Sequence, residues 1–116
     1  MFRMMCKSKI HRATITEANL AYEGSISIDQ TLLKAADILP FEKVQVLNVN
    51  NGSRVETYVM EAPAGSGVIC LNGAAARWGQ PGDLVIIIAY AIVEEKKTKK
   101  YQPKIVLVND KNRIKK

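Results

Sequence analysis

Metal-binding and disulfide-forming residues are scarce in this sequence. It contains one histidine and two cysteines, Cys6 and Cys70, in 116 residues. The usual zinc-ligand spacings are therefore absent, no metal site is expected, and two cysteines are too few for a disulfide framework. There is also no glycine loop followed by Lys-Ser/Thr and no Gly-x-Ser-x-Gly nucleophile elbow. If the chain is an enzyme, it needs an electrophile that no ordinary side chain supplies.

Long hydrophobic runs are absent as well. The longest, LVIIIAYAIV at residues 84–93, has ten residues, whereas a membrane-spanning helix needs about 20. Its β-branched residues predict a strand buried on both faces. The first sixteen residues contain no continuous apolar segment, so we expect no secretory signal peptide. The two cysteines are typical of reduced core thiols, which predicts a cytoplasmic protein.

The positive charge is confined to one end of the chain. The length fits one domain, residues 1–116, with a formal net charge of +6. Residues 1–93 carry eight basic and eight acidic side chains, whereas residues 94–116 carry nine and three. We interpret residues 94–116 as a basic, solvated C-terminal segment. The isoelectric point of about 9.4 leaves open a β-barrel that binds nucleic acid, but the neutral body and the aromatic content of 6% argue against it.

Turn signals separate many short apolar segments. Asp29 is a candidate N-cap for a helix over residues 30–39, and Asn51-Gly52 predicts a hairpin. Residues 74–77 suit one helical turn. Several short strands with one or two short helices predict a mainly β protein, a small β-barrel. The predicted strands cover residues 9–16, 25–28, 43–50, 54–60, 68–71, 84–93 and 103–109.

The dipeptide Gly24-Ser25 lies between an apolar connection and a strand. A tight turn explains such a pair, and a second pair at residues 65–66 shows that the dipeptide alone is weak evidence. Chemically, a serine hydroxyl can attack the preceding carbonyl and convert the amide into an ester. Elimination then leaves dehydroalanine, which hydrolyses to a pyruvoyl group. Glycine is the least hindered acyl donor and tolerates unusual backbone angles in which strain favours the shift.

Five segments extend this signal across most of residues 1–93: KSKIHRATIT, NLAYEGSISID, NNGSRVETYVM, GSGVICLNGAAAR and GDLVIIIAY. In their order and spacing they resemble the pyruvoyl-dependent aspartate 1-decarboxylases. The resemblance implies a six-stranded double-psi β-barrel, a homotetramer, and a proenzyme that cleaves itself between Gly24 and Ser25 into residues 1–24 and 25–116. It implies decarboxylation of L-aspartate to β-alanine and CO2 for pantothenate and coenzyme A, in some relatives with a maturation factor, and no nucleic-acid or membrane partner.

The resemblance also implies roles for individual residues. Ser25 is the precursor of the pyruvoyl cofactor, whose ketone would form a Schiff base with aspartate and act as an electron sink. Tyr58 matches the family's proton donor, which reprotonates the carbanion that decarboxylation leaves. Arg54 lies four residues earlier on the same strand face and suits a substrate carboxylate. Without the resemblance, a core tyrosine and a solvated hairpin arginine are the simpler interpretations.

Further matched residues are expected around the substrate. Lys9 and His11 share a strand face, with Lys9 near substrate and His11 near the cleavage site or, alternatively, structural. Thr57 matches a residue that binds substrate and supports the cleaved carbonyl, although alternation places it opposite Tyr58. Backbone irregularity or a site between subunits would remove that difficulty.

The last matched residues belong to loops and turns. Tyr22 and Gly24 flank the cleaved bond, and a substrate-binding turn has small side chains that expose backbone N–H groups to a carboxylate. Cys70 and Trp78 are assigned no functional role. The residues of the substrate-binding turn are Asn72, Gly73, Ala74 and Ala75.

Overall fold

The computed structural model describes residues 1–115. Strands dominate, and the helices are short. The strands are β1 (Phe2–Thr14), β2 (Glu17–Asn19), β3 (Ser25–Asp29), β4 (Lys43–Asn48), β5 (Arg54–Ala62), β6 (Ile69–Asn72), β7 (Leu84–Glu94) and β8 (Lys104–Leu107). The helices are α1 (Gln30–Ala36), a 3-10 helix (Gly73–Trp78) and α2 (Glu95–Thr98).

All eight strands form one sheet in the order β2-β6-β3-β5-β4-β7-β1-β8. The long strand β1 pairs antiparallel with β7 and, near its end, parallel with β8. After two more residues the same chain becomes β2, which pairs with β6 at the other end of the sheet order. One continuous segment thus contributes strands near both ends of the sheet order, an arrangement compatible with a β-barrel-like fold.

Hydrophobic side chains on the inner face of this sheet form the core. Alternation along each strand explains it, since every second residue of β4 is buried. Helix α1 adds its apolar stripe to the same core through Leu32, Leu33 and Ala36. Ile10, Ile26, Ile28, Val59 and Ile87 are completely buried.

The local signals in the sequence explain two of the elements. The carboxylate of Asp29 accepts a hydrogen bond from the Thr31 backbone N–H at 2.8 Å and caps α1. The helix ends at Ala36 and not at residue 39, because Asp37 adopts a left-handed conformation with φ 56°. The hairpin predicted at Asn51-Gly52 is present between β4 and β5.

The mainly β fold class with short helices is confirmed, and several details are corrected. The sheet has eight strands in all, and a six-stranded barrel within it stays a prediction. Strand β1 begins at Phe2 and not at residue 9. Strand β7 is buried on both faces only in its middle, since Tyr90 and Ile92 are exposed. The double-psi crossing itself stays a prediction.

Only part of the C-terminal segment is solvated, and the strand predicted at residues 103–109 is present as β8. Residues 95–98 form α2, and β8 pairs with residues 8–11 of β1. Val106, Val108 and Asn112 are buried. Most of the lysines are exposed, so the segment combines a packed backbone with a basic surface. Among residues 1–115, no helix has the length and apolar character that crossing a bilayer demands.

Candidate active site

Ser25 occupies a strained position at the start of β3. Its φ is 120°, a value that non-glycine residues rarely adopt and that costs about 1–3 kcal/mol. The residue is 1% exposed, so the surrounding structure holds it there. Gly24 could tolerate unusual backbone angles, but its φ is not positive. The strain therefore lies on the C-terminal side of the Gly24-Ser25 bond.

A pocket of about 200 Å³ opens beside this bond. It lies where β3 begins alongside β5. The two strands are parallel with Ile26 opposite Val59, so the register extended by one residue places Ser25 beside Tyr58. The pocket is lined by Gly24, Ser25, Val55, Glu56, Thr57, Tyr58, Ala74, Ala75 and Trp78.

The position at a strand edge explains how Thr57 and Tyr58 share one pocket. Alternation along β5 holds, since Thr57 is half-buried and Tyr58 is 40% exposed. β3 pairs with β5 only from Val59 onward, so residues 54–58 have no strand on that side. A molecule at this open edge can reach side chains from both faces of the strand. Thr57 and Tyr58 can therefore serve one pocket because the pairing of β3 with β5 begins only at Val59.

Asn72 connects the end of β6 to Ser25. Its Nδ2 group donates hydrogen bonds to Ser25 Oγ at 3.1 Å and to Ser27 Oγ at 2.9 Å. Its Oδ1 accepts from the Cys70 thiol at 3.2 Å. Asn72 is 3% exposed and Cys70 is 6% exposed. Cys70 therefore belongs to the site, although the sequence offered only its position two residues before Asn72 on a strand.

Gly73 is required by close packing against the Gly24 segment. It has φ 61°, and a Cβ at this position would lie 2.9 Å from Gly24 Cα and from the Tyr22 carbonyl oxygen. Any side chain here would push residues 22–24 away from the pocket. The following Ala74 and Ala75 line the pocket with methyl groups only. The run of small residues keeps this side of the pocket open.

Two aromatic residues that the sequence analysis left unassigned shape the other side. The ring of Phe41 stacks on that of Tyr58, with centroids 6.3 Å apart. Trp78 lines the pocket, and its carbonyl accepts hydrogen bonds from three polar side chains of the β4–β5 hairpin. This arrangement fixes Trp78 relative to β5. The three donors are Asn48 Nδ2, Asn51 Nδ2 and Ser53 Oγ, at 3.1, 2.9 and 3.2 Å.

Lys9, His11 and Arg54 do not line this pocket within the single chain. Lys9 lies half-buried in β1, which is four places from β3 in the sheet order. His11 lines a separate cavity beside β8. Arg54 faces away, and its guanidinium donates to Gln45 Oε1 at 3.0 Å.

Tyr22 is exposed in the turn before Gly24, and its backbone rather than its ring approaches Gly73. The predicted set therefore divides in two. Eight residues meet at the Gly24-Ser25 bond, and the side chains of four lie elsewhere on the chain. The eight are Gly24, Ser25, Thr57, Tyr58, Asn72, Gly73, Ala74 and Ala75.

The chemistry available at the pocket is that of a hydroxyl, a phenol and an amide. Neither histidine nor cysteine lines it. Within residues 1–115, no three His, Cys, Asp or Glu side chains group as metal ligands would. The one carboxylate, Glu56, pairs with Lys43 at 3.4 Å. The pocket therefore offers hydrogen-bond donors and one weak acid beside a strained peptide bond.

Comparisons with known proteins agree with this geometry. A family described as Aspartate decarboxylase matches residues 1–115. The chain is 65% identical to the Aspartate 1-decarboxylase of Pelotomaculum thermopropionicum, over 98% of this chain and 86% of the relative. It is 58% identical to that of Thermoanaerobacter pseudethanolicus, over 97% of each. The chain therefore belongs to the aspartate decarboxylase family.

Proposed function

We propose that this chain decarboxylates L-aspartate to β-alanine and CO2, with a pyruvoyl group made from its own Ser25. Family membership supports the reaction. The observation that carries the proposal is Ser25, which is buried, strained at φ 120° and held through its Oγ beside the pocket. A serine in an ordinary turn is not expected to combine burial, backbone strain and a hydrogen bond to its Oγ.

The first step of the proposal is self-cleavage of the Gly24-Ser25 bond. Ser25 Oγ bonds to the Gly24 carbonyl carbon, the C–N bond breaks, and the hydroxyl proton passes to the released nitrogen. Loss of the Ser25 α-proton then expels the Gly24 carboxylate from Cβ and leaves dehydroalanine. One water molecule converts this to the keto group and releases ammonia. Relief of the strain at residue 25 favours the first of these steps.

The residues around position 25 fit a pyruvoyl group. Asn72 Nδ2 already donates to an oxygen of this residue, and Ala74 and Ala75 leave free volume in front of it. When formed, such a group supplies an electron sink for an amino acid bound through its amine. The chain's own residues would bind the substrate carboxylates and exclude water. Backbone N–H groups of residues 73–75, together with Asn72 and Thr57, are the proposed donors.

Tyr58 is the proposed proton donor for the decarboxylated substrate. It lines the same pocket as Ser25, and the strand register places the two residues side by side. Its phenol is the only neutral acid among the lining side chains of the pocket. Stacking on Phe41 limits the orientations of the ring. A fixed phenol next to the reacting carbon suits general acid catalysis.

We further propose that the enzyme is a homotetramer, with sites completed by a neighbouring protomer. Lys9, His11, Arg54 and the Tyr22 ring lie off the pocket, as residues that serve a neighbour's site would. Exposed apolar side chains on β1 and β7 supply a surface for association. They are Phe2, Met4 and Ile92.

The remaining proposals concern context. They rest on the family resemblance and on the sequence. They are the supply of β-alanine to pantothenate and coenzyme A, a cytoplasmic location, a helper protein in maturation, and the division into residues 1–24 and 25–116. The alternatives, a nucleic-acid-binding barrel or an assembly module, have no support among the relatives, which carry an enzyme's name.

Reductive trapping tests the proposal. Incubation of purified protein with aspartate and borohydride should attach one substrate-derived amine covalently to residue 25, located by peptide mass spectrometry. Ser25→Ala is the control and should stay uncleaved and untrapped. Release of CO2 from aspartate by a Ser25→Ala protein would contradict the proposal.

A further inference from the structure

We propose that Cys70 is a positioning residue, whose thiol orients the Asn72 amide so that its NH2 group faces Ser25 Oγ. The inference deepens the proposed function and rests on it where it concerns cleavage. It starts from three contacts of one side chain. Asn72 donates to Ser25 Oγ at 3.1 Å and to Ser27 Oγ at 2.9 Å, and accepts from Cys70 Sγ at 3.2 Å.

The two serines alone do not fix this orientation. An amide can rotate by half a turn with little change in shape, and a hydroxyl can either donate or accept a hydrogen bond. With the amide reversed, both serine hydroxyls could donate to Oδ1. Cys70 is the neighbour that distinguishes the two states, because its S–H can donate to Oδ1, whereas the reversed amide would have to donate its N–H to sulfur, a weak acceptor. Because Cys70 and Asn72 are both buried, water cannot replace the thiol as the donor to Oδ1.

The thiol keeps its proton at this position. Burial raises the pKa of Cys70 above its ordinary value, and Glu17 raises it further through its negative charge and through a hydrogen bond with the thiol. Glu17 lies directly opposite Cys70 in the β2–β6 pairing. A negative charge on that neighbour opposes formation of a thiolate. The donor that orients Asn72 is therefore present throughout the neutral pH range.

Orientation of the amide matters for attack by Ser25. In the observed state Oγ accepts an N–H, so its proton is free to leave and a second lone pair is free to reach the Gly24 carbonyl carbon. In the reversed state the hydroxyl would donate its proton to Oδ1, a neutral amide oxygen and a weak base. Cys70 thereby favours the reactive arrangement of Ser25 without touching it.

Three substitutions separate donation from packing. Cys70→Ser keeps a donor in a smaller side chain, Cys70→Val fills the space without a donor, and Cys70→Ala removes both. We expect Cys70→Ser to produce the 24- and 92-residue pieces at nearly the wild-type rate. Cys70→Val and Cys70→Ala should slow their formation about 3- to 10-fold, the loss of one buried hydrogen bond. Cys6→Ala, a change outside the site, should have no effect.

A second readout does not depend on cleavage. In nuclear Overhauser spectra, the Asn72 side-chain NH2 protons of the wild type should lie close to the β-protons of Ser27. In Cys70→Val and Cys70→Ala this contact should weaken and new contacts to residue 70 should appear. Two results would overturn the inference. One is a Cys70→Val variant with the wild-type cleavage rate and the wild-type contacts between Asn72 and Ser27. The other is a Cys70→Ser variant that is cleaved as slowly as Cys70→Ala. If wild type stays uncut and yet decarboxylates aspartate as well as Ser25→Ala does, the proposed function fails, and the spectra still decide the role of Cys70.

Discussion

At the scale of single residues, the site depends on Ser25 and on the groups that hold it. Gly73 allows close approach of residues 22–24, and Asn72 reaches Ser25 Oγ from β6. The sequence identified these residues through motif resemblance. It could not predict that the strain lies at Ser25 rather than Gly24, because φ there depends on how β3 begins beside β5. Cys70 and Phe41 were missed for a similar reason, since their contacts come from tertiary packing.

The proton-donor assignment predicts a selective effect of Tyr58→Phe. Loss of the phenol should lower turnover of aspartate about 10²- to 10⁴-fold, as for other general acids, while cleavage at Gly24-Ser25 still occurs. Both can be followed on one sample by product assay and intact mass. Tyr90→Phe is the matched control, because the Tyr90 hydroxyl donates to Gln45 on the outer sheet face. A Tyr58→Phe enzyme with wild-type turnover would refute the assignment.

At the scale of elements, the loop of residues 63–67 ties the two parts of the chain together. Asp29, at the end of β3, accepts hydrogen bonds from the N–H groups of Gly65 and Gly67 at 2.9 and 2.8 Å. Asn112, in the C-terminal segment, donates to the Gly67 carbonyl oxygen at 2.8 Å. The helix cap at Asp29 was predictable from sequence. Its second role was not, because the two glycines are more than 30 residues away.

The Asp29 contacts predict a pH-dependent loss of stability in Asp29→Asn. Burial raises the pKa of Asp29, but hydrogen bonds from Gly67, Thr31 and Gly65 outweigh it and hold the pKa below its ordinary value. The carboxylate therefore stabilises the fold above the ordinary aspartate pKa, and this contribution is lost as pH falls through the lowered value. We expect Asp29→Asn to cost about 1–3 kcal/mol at neutral pH, and less in acid.

Urea unfolding of wild type and Asp29→Asn across a pH series measures this difference. Asp37→Asn serves as the control, because Asp37 lies at the other end of α1. A difference between wild type and Asp29→Asn that stays constant down to strongly acidic pH would contradict the assignment to an ionised carboxylate.

The packed C-terminal segment predicts a large effect of Asn112→Ala. The Asn112 side chain accepts from the Thr14 N–H at 2.7 Å and donates to the Thr14 and Gly67 carbonyls. Its removal leaves buried backbone groups without partners, so the free energy of unfolding should fall by about 2–4 kcal/mol. Thermal unfolding compares Asn112→Ala with Lys111→Ala. Lys111 is an exposed neighbour, so its substitution should leave the stability almost unchanged. Equal stability of the two variants would mean that the segment is not held in this way.

At the scale of the whole molecule, alternating patterns and turn signals were sufficient to predict a mainly β chain. They could not predict that β1 runs from Phe2 and pairs with both β7 and β8, because these pairings join residues 70 or more positions apart. Charge counting could not show which of residues 94–115 are packed, because it ignores backbone pairing. The distance of Lys9, His11 and Arg54 from the pocket is the feature that a complete assembly must explain.

The mass of the purified, active protein tests the central claim most directly. The account predicts two pieces, residues 1–24 and 25–116, with the larger one lighter by one ammonia than a chain that begins with serine. Ser25→Ala should give the single uncut mass. Full activity on aspartate from uncut chains, or from a larger piece whose first residue is an unmodified serine, would contradict the account.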